Sequence, residues 1–181
     1  MNNEPQNNKV EKELPPKSAF RISISNNQQV LTYLILGNKY DFMLALQDAL
    51  DLQNFTIVHM LLATADNTIV QRKNDLNQNL MHILAKNSLR GDMARLQRIY
   101  NELKKRGVNC LEQDNLGNNA LHYAVKCQCY ELCQILIEDK IDVNAINNAG
   151  FSPLTILIKG KRGSSMLLKD MGCYDKSDRF F

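Results

Sequence analysis

Asp114-Asn115-Leu116-Gly117-Asn118-Asn119-Ala120-Leu121-His122-Tyr123-Ala124-Val125 is the stretch on which the fold turns. Its first half is rich in turn formers, and Gly117 can take the positive φ of a tight hairpin at little cost. Its second half is a helix start, in which the residue before Ala120 can cap and Ala124 leaves room for a second helix to approach. Two other stretches align with it. Upstream stands Asn74-Asp75-Leu76-Asn77-Gln78-Asn79-Leu80-Met81-His82-Ile83-Leu84-Ala85, and downstream Asn147-Asn148-Ala149-Gly150-Phe151-Ser152-Pro153-Leu154-Thr155-Ile156-Leu157-Ile158. His122 and Thr155 are 33 residues apart and His82 and His122 are 40 apart, so the first unit carries an insertion of seven. A period of this length means stacked supersecondary units that have no core alone.

These segments resemble the Asp-x-x-Gly-x-Thr-Pro-Leu-His-x-Ala signature of the ankyrin-repeat family. The middle one matches at Asp114, Gly117, Leu121, His122 and Ala124, and the last at Gly150, Pro153 and Leu154 with Ser152 replacing Thr. A Val-Asn pair that family members carry before the next turn is read at Val108-Asn109 and at Val143-Asn144. The resemblance implies an all-α fold, an ankyrin-repeat solenoid of helix-turn-helix units joined by β-hairpin-like turns. Pro153 suits a first helical turn, where its missing N–H would be unpaired anyway. Leu121, Leu132, Ile135 and Leu136 are expected in the face between units. The departures are Asn77 in the glycine place, Leu80 in the proline place, and Gln128 at an inter-helix turn usually held by glycine, where some strain is expected.

Working outward, repeats are expected at about 74–113, 114–146 and 147–175, with a short last helix at Ser164–Met171 acting as a cap and a tail at 176–181. Upstream, 19–73 reads as N-terminal helices and a degenerate capping repeat: Val30, Leu31, Leu34 and Ile35 at helical spacing, then a helix capped by Asp41, then one from about Thr56. Residues 1–18, polar with a Pro15-Pro16 pair, are expected to be disordered. The inserted residues near Ser88–Asp92 predict a lengthened loop before an outer helix over Met93–Arg106.

Composition excludes several classes. No apolar run approaches the ~20 residues of a membrane span, and Val30–Leu36 ends at Gly37. The polar start Met1–Asn8 lacks the apolar region of an export signal, and the five cysteines are an odd set. Free thiols in a cytoplasmic or nuclear protein are therefore expected. A net charge of +3 does not by itself argue for nucleic acid, and the basic stretch has no stacking aromatic beyond Tyr100.

No nucleophile with a base and orienter, phosphate-cradling loop or carboxylate pair emerges, so neither catalysis nor a cofactor is expected. His82 and His122 could be read as catalytic or metal-binding; the resemblance implies instead that they stabilise the turn through backbone hydrogen bonds. Cys127-x-Cys129-x-x-x-Cys133 matches no common zinc spacing, and a buried free cysteine behaves as a small hydrophobe, so no metal is expected.

Lys86, Lys126 and Lys159 share one repeat position near the end of each inner helix, on what would be a concave face. From Lys86 to Arg106 seven basic residues face only Asp92 and Glu102, a net +5. Such a patch can steer an acidic partner, or it can be a solvated helix face. In the ankyrin family the turn tips and the concave face contact partners. That marks Leu76, Gln78, Leu116, Asn118 and Phe151 as candidates beside the three lysines. Leu76, Leu116 and Phe151 are either anchors for a partner or packed between adjacent turns. The expected function is a non-enzymatic protein–protein adaptor or scaffold. The alternative is a regulatory module or subunit of a larger enzyme, since Asn79–Ala85 and the stretched first unit faintly resemble ankyrin modules of poly(ADP-ribose) polymerase-like proteins.

Overall fold

The computed structural model describes residues 42–87 and 92–159. The tail over 1–18, the helix expected at Val30–Ile35, the Asp41 cap, the loop at 88–91, Cys173 and the closing helix expected at Ser164–Met171 lie outside them. Eight helices and no strand occupy the described residues: α1 (Phe42–Asp51), α2 (Phe55–Thr64), α3 (Asn67–Val70), α4 (Leu80–Asn87), α5 (Met93–Lys105), α6 (Ala120–Lys126), α7 (Tyr130–Glu138) and α8 (Pro153–Lys159). None is long and apolar enough to cross a membrane.

The helices form two rows. In the inner row α1 packs on α4, α4 on α6 and α6 on α8. Behind them α2, α5 and α7 each pair with their own inner helix, and α5 packs on α7. Inner helices of seven or eight residues are too short to hold themselves together in water. Burial compensates: every residue of Leu80–Ala85 and of Ala120–Val125 is buried. They show no one-sided stripe because neighbours cover them on both flanks and behind. The outer helices keep a water-facing side, and α5 buries only Leu96, Ile99, Tyr100 and Leu103 at helical spacing. Side-chain caps start several of them: Asn54 accepts from the Ile57 N–H at 3.2 Å and Asp92 from the Arg95 N–H at 3.0 Å.

Across the outer row the Asp139 carboxylate gathers three donors. Tyr100 donates its hydroxyl at 2.5 Å, Cys110 its thiol at 3.7 Å, and Lys104 forms an ion pair. The Lys104 ammonium, then the Tyr100 hydroxyl, hold this carboxyl below the usual range, while burial pushes the Tyr100 phenol up.

Each of the three aligned stretches makes the same turn. Asn74, Asp114 and Asn147 each accept, through side-chain Oδ1, the N–H groups two and four residues on, at 2.9–3.1 Å. The left-handed residue is Asn77 (φ 58°), Gly117 (φ 74°) or Gly150 (φ 78°). Gln128, expected to be strained, has φ 57°, and Gln53 and Lys140 are also left-handed, at 54° and 61°.

One part of the sequence register is corrected. Asn109 Oδ1 accepts from Leu111 N–H and Asp142 Oδ1 from Asn144 N–H, both at 2.9 Å. Asn109 is thus equivalent to Asp142, and Val108 to Ile141, both buried. The Val-Asn pair in phase with the family pattern is Val143-Asn144, whose counterparts are Cys110 and Leu111.

Adjacent turns differ in one testable way. A Cβ at Gly117 would stand 2.6 Å from Asn148 Oδ1 and 2.8 Å from Asn148 N, whereas one at Gly150 would meet nothing within 4 Å among the described residues. Gly150→Ala should therefore cost the ~1–2 kcal/mol of a left-handed Cβ, and Gly117→Ala distinctly more, because the next turn must also move. Thermal melts of the two variants check the order; equal losses would contradict it.

Candidate functional site

The turns are tied together by backbone. Asn115 N–H donates to Leu76 O and Asn148 N–H to Leu116 O, each at 3.0 Å. Asn115 Nδ2 reaches Asp75 O at 3.1 Å and Asn148 Nδ2 reaches Asn115 O at 3.0 Å. This fixes the spacing of the tips and leaves Leu76 (47 % exposed) and Leu116 (54 %) facing solvent. The third tip at that position is Ala149. Phe151 stands two residues later, in the place of Gln78 and Asn118, and is half-buried with the Lys159 ammonium 4.0 Å from its ring centroid.

Gln78 is a correction to the surface read from sequence. It is only 2 % exposed, and its side-chain N–H groups donate to Asp114 Oδ2 at 3.0 Å and to the Tyr123 hydroxyl at 2.7 Å. Tyr123 in turn donates to Asp114 Oδ2 at 2.5 Å. Its polar atoms are spent inside the stack, joining the first unit to the second, and it offers nothing to a partner. Burial would raise the Asp114 carboxyl, but Gln78, Tyr123 and the N–H groups of Asn118 and Leu116 outweigh it and hold the group below its usual range. Burial, then the hydrogen bond to Asp114, pushes the Tyr123 phenol up to about 12. Asn118 is half-buried, its Oδ1 accepting from Asn147 Nδ2 at 2.9 Å.

His82 and His122 occupy matching buried sites. Nδ1 of His82 accepts the Asn79 N–H at 3.3 Å and Nδ1 of His122 the Asn119 N–H at 3.2 Å. Nε2 lies 3.0 Å from Asn118 O in the first case and 3.1 Å from Phe151 O in the second. Nδ1 also lies 2.7 Å from the side-chain Oδ1 of Asn79 in the first site and of Asn119 in the second. With the backbone N–H taken as the partner of Nδ1, the ring proton stands on Nε2 and is donated to the carbonyl. The backbone role expected of these residues is present, and each ring also holds the turn of the next unit. The cap residues reach across as well: Asn79 Nδ2 donates to Asn109 O at 2.7 Å and Asn119 Nδ2 to Asp142 O at 3.4 Å. Sequence reasoning missed Asp114, Tyr123 and these cap amides as inter-unit ties, because their partners lie up to 45 residues away.

Lys86, Lys126 and Lys159 are exposed in the last turns of α4, α6 and α8. Adjacent inner helices packed at ~8–10 Å place such groups in a row. Cys127 sits between the first two rungs: its thiol donates to Lys86 O at 3.2 Å, and both ammonium groups partly oppose the rise that burial imposes on it. Cys127 follows the last residue of α6, Cys129 precedes α7, and Cys133 is buried within α7. Among the described residues no three His, Cys, Asp or Glu side chains converge on a metal position.

Three cations of the basic stretch over 86–106 are paired. Lys104 pairs with Asp139, Arg95 with Asp92 at 2.9 Å and Arg106 with Glu102 at 2.7 Å. Arg98 and Lys105 form no ion pair among the described residues.

A family profile described as ankyrin repeats, in three copies, matches residues 54–174. A Rickettsia felis protein described as an ankyrin repeat protein is similar at 27 % identity over 201 residues, with 93 % of this chain and 51 % of the relative covered. The chain thus spans about half the length of that relative.

The buried histidines set a pH dependence. Burial, the largest influence, lowers both from the ordinary 6.5. The unfolded chain therefore binds more protons, and the stability this gives is present above pH 6.5 and lost as pH falls through the lowered folded values. Asp114 and Asp139, lowered from 3.8, act only at more acid pH. The melting temperature should drop between pH 6.5 and 5, and His82→Gln/His122→Gln should flatten that slope. His122→Ala should cost ~1–3 kcal/mol at neutral pH, since it leaves the Asn119 N–H and Phe151 carbonyl unpaired.

Proposed function

The chain belongs to the ankyrin-repeat family, and from that premise we propose that it is a non-catalytic module that binds an acidic surface of another protein. Ankyrin repeats in general are protein-interaction modules. The contact proposed is the row of Lys86, Lys126 and Lys159 together with the Leu76 and Leu116 tips, with Asn118 and Phe151 at its edge. One observation carries this: the lysines and the two leucines are exposed on helices that are otherwise mostly buried and on turns tied to one another by backbone hydrogen bonds. A rigid scaffold that presents unpaired cations beside apolar tips suits a partner with carboxylates around an apolar recess. Pre-formed tips also lower the ordering cost of binding. Among the described residues we assign binding to the repeats from Asn74 onward, with α1 and α2 as the capping part of the stack.

The experiment is affinity capture on the immobilised full chain, in parallel with the Lys86→Glu/Lys126→Glu/Lys159→Glu variant. A protein retained by the first and lost by the second, with the variant's helical content and melting unchanged, supports the site. In kinetics with that protein, Lys126→Glu should slow association about tenfold at low salt and flatten the salt dependence. Leu116→Ala should act on the off-rate, raising it about tenfold. Unchanged rates in both variants would remove this face from the contact.

A further inference from the structure

The outer row is not uniformly closed. α5 lies directly against α7 but packs only loosely on α2, and between α2 and α5 a groove of about 580 Å³ is left open. Both ends are bridged. At one, the Arg95 guanidinium stacks 5.2 Å from the Phe55 ring centroid. At the other, Arg106 Nη1 donates to Ala65 O at 3.0 Å while Gln71 Nε2 donates to Arg106 O at 2.7 Å. The groove is therefore a bounded recess held by fixed contacts.

Its floor and walls are of two kinds. Leu62 and Ala63 supply apolar surface from α2, and Arg98 and Lys105 stand on the α5 side. Glu102 also lines it, but its carboxylate is taken by Arg106 at 2.7 Å. That leaves Arg98 and Lys105 as uncompensated charges on one rim. They are seven residues apart on one helix, thus on one face and ~10 Å apart along the axis. His59 stands exposed on the opposite side.

We infer that this recess is a second docking site, distinct from the inner-helix lysines, for a protein segment carrying an apolar side chain between two carboxylates. Charge complementarity selects the occupant: two free cations ask for two anions, and the short apolar floor between them asks for one aliphatic or aromatic side chain. A nucleic acid is the poorer fit, because the bridged ends interrupt any backbone track and His59 is the single exposed ring among the described residues that line the recess. The occupant gains from the bridges too, since the Phe55–Arg95 and Ala65–Arg106 contacts hold the two walls apart before anything binds.

The test uses the full chain and an array of short synthetic peptides in which Asp or Glu flanks Leu or Phe. Matched peptides with Asn and Gln, and a single-stranded oligonucleotide, are run in parallel. Acidic-apolar peptides should be selected over their neutral matches. Arg98→Glu/Lys105→Glu should weaken them about tenfold, as expected for losing two exposed ion pairs and gaining repulsion. Ala63→Trp, which fills the recess without touching charge, should weaken them as well, and Lys126→Glu should not. Melting curves of each variant establish that the stack is folded. Binding that is lost in Lys126→Glu but retained in Arg98→Glu/Lys105→Glu would overturn the recess while leaving the inner-face site standing. Absence of selection, or equal retention of the oligonucleotide, would also overturn it.

Discussion

The buried imidazole at the third position of the inner helices joins two orders of structure that are otherwise separate. Through Nδ1, His82 and His122 complete the cap of their own helix; through Nε2 they hold a carbonyl of the following turn. A helix of seven or eight residues cannot stand alone, and a turn without a neighbour has nothing to set its tilt. One ring solves both problems. Thr155 occupies the same place in the third unit and, with Ser152, makes only the local cap.

Around these rings the interior between units is more polar than the hydrophobic count suggests. Gln78, Asp114 and Tyr123 form a closed set in which every donor finds an acceptor, and no buried side-chain N or O among the described residues lacks a partner. Such a network is favourable only when complete. It also specifies order, since Asp114 of the second unit accepts from Gln78 of the first, whereas Asn147 in the equivalent place of the third unit donates to Asn118, the same joint with donor and acceptor exchanged. The stack is thus modular in backbone and particular in its joints.

Much of this was legible in the sequence because it is local. The turn over Asp114–Asn119, the helix at Ala120–Lys126, the left-handed strain at Gln128 and the shared position of the three lysines all follow from spacing and residue type. What was not legible depends on partners distant in sequence. Gln78 looks like a polar turn residue and is interior, because Tyr123 and Asp114 arrive from the next unit. Phe151 was matched to Leu76 and Leu116 by its apolar character, although the turn hydrogen bonds place it two residues out of phase. Val108-Asn109 was misregistered in the same way, a matching dipeptide at the wrong distance from Asp114. The recess between α2 and α5 has no sequence signature, since it arises from two helices failing to close.

Gln53, Asn77, Gln128 and Lys140 adopt backbone that glycine would take without strain. Each forgoes roughly ~1 kcal/mol. In a compact single-core domain such losses would be shared by the whole fold. In a linear array, where each unit touches only its neighbours, they remain where they occur. Opening of the described stack is therefore local to a joint rather than shared by the whole. Gln53 links α1 to α2, a pair that holds to the rest of the described stack chiefly through the α1–α4 contact. Amide hydrogens of that pair would exchange by local fraying while those of α4 and α6 await opening of the array as a whole. Among the described residues the strained positions sit at separate joints, between α1 and α2, in the first turn and at either end of α7, so each joint carries its own loss.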